Sequence, residues 1–178
     1  LASLTITPVN DAPVIPAITA QSVAEDGTLV LNFNLSDVDS VVTCSAVHLS
    51  ATSSNPAVVV GGSIIFGGTV PNCTATITPV AEATGATTIA ITANDNGTPN
   101  LQDVESFVLT VNAANDAPVL SAIANQTVNE DAVSAPIAFT ISDVDNVLTC
   151  TGSVTATSGT PAIVANVGLI VGGTAPNC

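Results

Sequence analysis

"TLVLNFNLSDVD", residues 28–39, alternates Leu29, Leu31, Phe33 and Leu35 with Thr28, Val30, Asn32 and Asn34, and ends on two aspartates. A period of two sends successive side chains to opposite faces of a strand, so one face is fit for a core and the other stays mixed. The stretches "TTIAITAND" (87–95) and "ESFVLTVN" (105–112) repeat the pattern and read as a closing hairpin. Strands are expected near 18–23, 28–35, 43–50, 58–66, 74–78, 87–93 and 104–111. Each run is short and bounded by Gly, Pro, Asn, Asp or Ser, and none shows a convincing helical period. With four Phe and no Trp or Tyr, the core must be built from aliphatic and largely β-branched side chains.

The same grammar is written more than once. "NDAPV" occurs at 10–14 and again at 115–119, one domain length later. Glu25-Asp26 returns as Glu130-Asp131, Gly67-Gly68 as Gly172-Gly173, and "PNC" at 71–73 returns at 176–178. "SDVD" at 36–39 returns at 142–145, and Thr43-Cys44 returns as Thr149-Cys150, one residue out of step. Leu4-Thr5-Ile6 matches Leu109-Thr110-Val111 ahead of each "NDAPV". Residues 1–9 are therefore expected to be the last strand of a preceding repeat and 10–114 a complete repeat. Residues 115–178 would be the N-terminal part of the next. A repeat of about 100 residues made of short strands has the size of one β-sandwich domain. The expected architecture is all-β: tandem Greek-key sandwiches in a linear array, of which this chain is a window. No leader or anchor is expected inside such a window.

Composition removes several function classes. The chain has no Lys or Arg against 14 acids, a formal charge of −14. Nucleic-acid binding needs cations to neutralise phosphates, and anionic membranes need the same. Apolar runs such as "AVVV" at 57–60 are too short to cross a bilayer, so no membrane insertion is expected. His48 is the one histidine and lacks any Lys, Arg or Tyr to assist it, and no Ser has an evident base. An enzyme is not expected, and His48 reads as a partly exposed structural residue of a strand.

Cys44 and Cys73 occupy one repeat at positions matched by Cys150 and Cys178 in the next. One pair per repeat favours disulfides 44–73 and 150–178, hence an oxidising, extracellular setting. Reduced, buried thiols and a metal site are the alternatives, the latter without a CxxC or a matching His. Sequons at Asn34, Asn72, Asn96 and Asn125 are candidate N-glycosylation sites in a secreted chain.

The acids are clustered. "SDVD" places Asp37 and Asp39 on the same side of an extended chain, where both could face one cation. "NDAP" offers Asn10 and Asp11, and "TANDNGTP" offers Asp95 at a strand end. Two bare carboxylates about 4 Å apart repel by about 4 kcal/mol at an effective dielectric of about 20. Oxygen-only clusters suit hard cations, above all Ca²⁺. The same acids would also serve simply to keep an apolar β surface in solution.

These motifs, in this order, resemble the cadherin repeat in the form found in long bacterial tandem surface proteins. "SVAEDGTLVLNFNLSDVD" (22–39) supplies Glu25, Asp37 and Asp39, "PVAE" supplies Glu82, "TANDNGTPNL" supplies Asp95 and "NAANDAPV" supplies Asn115 and Asp116. The resemblance implies calcium at the junctions between successive domains. One junction would use Asn10, Asp11, Asp37, Asp39 and Asp95. The next would use Glu25, Glu82, Asn115, Asp116, Asp143 and Asp145. Most of the 14 acids fall on such positions. Asn112 stands where the family's linker has its leading Asp, and "VAE" lacks the Asp of the family's D-R-E turn, which implies one or two ions per junction rather than three. With no Trp, the strand-exchange adhesion of animal cadherins is not implied.

The expected function is a non-enzymatic extracellular structural protein: a calcium-rigidified repeat of an adhesin stalk or surface filament. Its partners would be neighbouring repeats of the same chain and, in a filament, identical chains. The alternative is a glycan- or receptor-binding sandwich module, against which stands the lack of Trp and Tyr for stacking on sugars.

Overall fold

The computed structural model describes residues 3–7 and 9–178. The chain divides into two compact units, the first ending at Ala114 and the second running from Asn115 to Cys178.

The first unit is a two-sheet β-sandwich. One sheet has the order β1(Gln21–Ala24), β7(Gln102–Asn112), β6(Gly85–Asn94), β3(Leu49–Ser53), and the other β2(Leu29–Asn34), β5(Asn72–Ile77), β4(Ile65–Thr69). All pairings are antiparallel except β1 with β7, which run parallel with Gln21 opposite Leu109. The alternation read in 28–35 holds: Leu31, Phe33 and Leu35 are buried while Val30 is exposed. They meet Ile89, Ile91, Phe107, Leu109 and Val111 of the opposite sheet in one core. The core is chiefly aliphatic; its one aromatic pair, Phe33 and Phe66, packs edge-on with centroids 6.4 Å apart. The Cys44–Cys73 disulfide, Cα atoms 5.2 Å apart, lies inside it.

Two expected strands are displaced. Within 43–50 the chain turns instead, with His48 N and Leu49 N both donating to Ser45 O, and β3 starts only at Leu49. Cys44 is tied to β5, and the Thr43 hydroxyl is engaged locally with Ser45 Oγ and His48 Nδ1. His48 is accordingly buried rather than partly exposed, and sits ahead of the strand. Within 58–66, Val58 and Val59 bury as a loop whose N–H groups donate to Asn55 O, a 3-10 turn follows at Gly61–Ser63, and β4 begins at Ile65. Gly61 explains the break. A Cβ there would lie 2.8 Å from both Ser53 N and Thr52 Cα, so only glycine lets this loop lie against the end of β3. Residues 3–7, expected to be strand, form none, and Leu4 and Ile6 are exposed.

The second unit repeats the disulfide-bearing corner of the first. Phe139 N donates to Cys178 O (3.2 Å) and Cys178 N to Phe139 O (2.9 Å), matching the register of Phe33 with Cys73. Ile141 N donates to Pro176 O at 3.0 Å as Leu35 N does to Pro71 O at 2.9 Å. Cys150 and Cys178 are joined, Cα atoms 5.4 Å apart. Two short strands, β8(Val119–Leu120) and β9(Ile141–Ser142), pair antiparallel. Among the described residues no helix is long and apolar enough to cross a membrane.

Candidate functional site

At one end of the first unit, "NDAP" and "SDVD" are hydrogen-bonded into a clasp. Val14 and Ser36 form a two-way backbone bridge that brings the segments side by side just beyond β2. Past Ser36 the chain does not stay extended. It bends, and Asp37 Oδ1 accepts from Asp39 N (3.0 Å) and Ser40 N (2.8 Å). Asp37 and Asp39 are thus brought together by a side-chain-capped turn rather than by strand alternation, as short acidic side chains at turn starts favour. Asp39 Oδ2 in turn accepts from Asp11 N at 3.1 Å. Ser40 Oγ donates to Asn10 Oδ1 (3.3 Å), and Asn10 Nδ2 donates to Pro99 O (3.0 Å) and to the Asp95 carboxylate. Gly97 makes room for this. A Cβ there would come within 2.5 Å of Asn10 Oδ1.

The second unit builds the same clasp from its own residues. Asp116 N donates to Asp145 Oδ2 (2.6 Å), and Asp143 Oδ1 accepts from Asp145 N (3.0 Å) and Asn146 N (2.7 Å). Asn146 Nδ2 donates to Asn115 Oδ1 at 3.0 Å, taking the place of Ser40 on Asn10. Glu25 and Glu82 belong to the first unit. Glu25 is buried and accepts from Ala114 N (2.9 Å), where that unit ends, while Glu82 lies exposed with a positive φ in the loop between β5 and β6. Among the described residues no three His, Cys, Asp or Glu side chains gather into a ready-made metal cage. The sequon residues Asn34, Asn72, Asn96 and Asn125 are all exposed, the first two directly opposite each other across β2 and β5.

Three features of the clasp were not read from sequence. Ser40 and Asn146 directly follow "DVD" in each repeat, and their polar match is the signal that could have flagged them. Asp103 accepts from Ile15 N (2.7 Å) and so anchors the segment leading out of "NDAP". Asp37 Oδ2 is buried with no hydrogen-bond partner among the described residues, which no spacing rule foretells.

Asp95 is the most enclosed acid of the clasp, 5% exposed. Burial by itself raises its pKa, but Gly97 N (2.8 Å), Leu101 N (2.9 Å) and the Asn10 amide stabilise the carboxylate and leave the pKa below the usual 3.8. A depressed native pKa means that the unfolded state binds the proton more readily. The stabilisation is therefore present above the unfolded value and is lost as pH falls through the native one. Thermal melts between about pH 5 and about pH 2 should show a falling midpoint. Asp95→Asn should melt lower at neutral pH, because with Oδ1 kept on Gly97 N and Leu101 N its NH₂ group would face the Asn10 NH₂ in place of Oδ2, and its midpoint should fall less steeply with acid. Parallel acid profiles for the two proteins would count against this role.

No protein-family model matches the chain, and no curated protein matches it. Solved structures give distant likenesses. Over 77% of its length the chain is similar to the titin domains Z1Z2 solved in complex with telethonin, at 14% identity and a TM-score of 0.41. Over 78% it is similar to domains 4–9 of the surface-layer protein SbsC, at 20% identity and a TM-score of 0.38. Over 58% it is similar to a nucleoside hydrolase-related protein of Saccharophagus degradans associated with carbohydrate metabolism, at 19% identity and a TM-score of 0.36. The chain spans 66%, 20% and 26% of those three chains. At such scores none of them bears on what the chain does.

Proposed function

We propose that the chain is a non-enzymatic structural module of an extracellular adhesin stalk or surface filament, stiffened by calcium held at the ends of its units. The observation that carries this reading is the orphaned Asp37 Oδ2 inside the clasp. A buried carboxylate oxygen without a partner is costly, and a chain devoid of Lys and Arg has no side-chain cation of that kind to relieve it. A hard divalent cation seeking six to eight oxygens is the natural complement. Asp37, Asp39, Asp11 and Asp95 would supply carboxylates, and Asn10 its amide oxygen. In the second unit Asp143, Asp145, Asp116 and Asn115 would do the same. Two disulfides fit an oxidising compartment.

Catalysis has little to work with. His48 is buried against Thr43 Oγ1, and Lys, Arg and Tyr are lacking altogether. The test of stiffening is small-angle scattering in millimolar calcium and again in chelator. The maximum dimension should shorten and the curve should turn more flexible when calcium is removed. Superimposable curves, with calcium shown to be bound in the first, would reject the stiffening role.

A further inference from the structure

The outer face of the four-stranded sheet carries no charge. Its inner face is the core side of β6 and β7, where Ile89, Ile91, Phe107 and Leu109 are buried. Alternation therefore sends Thr88, Ala90, Thr92, Val104, Ser106 and Val108 outward. Ser50 and Thr52 of β3 continue two of these rows, opposite Thr92 and Ala90. Val104 and Val108 are 53% and 46% exposed. The acids of this sheet, Asp103 and Glu105, stand opposite the fully buried Ala93 and Ile91 and so share the inner side. No outward-facing residue of these four strands is an acid.

In a chain of charge −14 with no basic side chain, that gap decides how copies can meet. Contact through carboxylate-bearing surfaces brings like charges within a Debye length, about 8–10 Å, with nothing to neutralise them. Both outer faces of the sandwich avoid that, and the three-stranded sheet exposes Val30 and Ile65 on its charge-free side. That sheet has 17 strand residues against 30 in the four-stranded one, so the four-stranded face, with its two exposed valines, is the one large enough to pair. Strands about 4.8 Å apart with a rise of about 3.4 Å per residue give it about 450–500 Å². Pairing two such faces would bury about 1,000 Å², the lower bound for a specific, weak association. We propose that two copies of the chain pair laterally through this face, sheet against sheet. The contact uses none of the clasp residues and is independent of calcium.

Sedimentation velocity of the whole chain in chelator tests it. A concentration-dependent dimer is expected, and it should tighten as salt is raised, because screening weakens the background repulsion and leaves the neutral contact untouched. Ser106→Glu puts a carboxylate at the centre of both faces and should weaken the dimer at least tenfold, about 1.4 kcal/mol. Thr92→Glu serves as a second variant should the first not fold. Val30→Glu, on the exposed side of β2 in the other sheet, should leave the dimer unchanged. A chain that stays monomeric up to about 1 mM overturns the proposal. So does a dimer that tolerates both Ser106→Glu and Thr92→Glu, or one weakened as much by Val30→Glu; another surface or another partner would then be the occupant.

Discussion

Leu109→Ala should destabilise the first unit by about 3–5 kcal/mol, the range for a fully buried leucine truncated in a well-packed core. Leu109 is 0% exposed and lies opposite both Thr87 on β6 and Gln21 on β1. The void would therefore open where the parallel β1–β7 pair and the antiparallel β6–β7 pair share one strand. With about 4–8 °C per kcal/mol for a domain of this size, the melting midpoint should fall by about 12–40 °C. Val108→Ala, one residue away on the exposed side, should shift it by only a degree or two. Equal losses from the two variants would mean that the inward and outward faces of β7 are wrongly assigned.

Removing the Cys44–Cys73 disulfide by paired alanine substitution should cost a comparable amount. The bond closes a loop with a sequence separation of 29, worth about 3.5 kcal/mol in the chain-entropy account. Both cysteines are also buried, so their deletion removes packing between β5 and the turn before β3. Reduction of the unmodified protein should lower the midpoint by a similar amount. Wild-type and Cys44→Ala/Cys73→Ala proteins that melt together under oxidising conditions would show that the tie contributes nothing. The disulfide also sets the site: with Cys73 in β5 opposite Phe33 in β2, it fixes the strand that delivers Asp37.

How far the sequence could be read varies by element. Alternation exposed the strands that have one wet and one dry face. Leu31, Phe33 and Leu35 went inside, and Thr88, Ala90 and Thr92 on β6 went out or to half-burial. It failed where apolar residues bury without being strand. Val58 and Val59 are as enclosed as any core residue, yet they sit in a loop stabilised by Asn55 and by the close approach of Gly61. Val42 and Val47 flank Cys44 and look equivalent in sequence, but one is buried and the other 68% exposed, because the turn at Ser45 reverses the chain between them. The parallel pairing of β1 with β7 joins the two ends of the unit and leaves no local trace.

The candidate site was legible as a set of residue types and only partly as geometry. The resemblance to the cadherin repeat is what put "NDAP" and "SDVD" in one group, and in each unit hydrogen bonds join the two segments in matching fashion. What could not be read is that backbone N–H groups hold Asp37 Oδ1, Asp39 Oδ2 and Asp95 Oδ1. Those bonds depend on turns whose φ and ψ are set by the whole fold, not by the spacing of the acids. The consequence is chemical. The carboxylates are pre-oriented by donors, and Asp37 Oδ2 is left over.

Calorimetric titration of calcium into the chelator-stripped chain, alongside Asp37→Asn, bears most directly on this picture. The unmodified protein should bind calcium saturably, and the variant should lose at least tenfold in affinity at the first-unit clasp while keeping its native circular dichroism spectrum. An absence of binding, or isotherms from the two proteins that superimpose, would leave the clasp a purely hydrogen-bonded corner and contradict a cation-held junction.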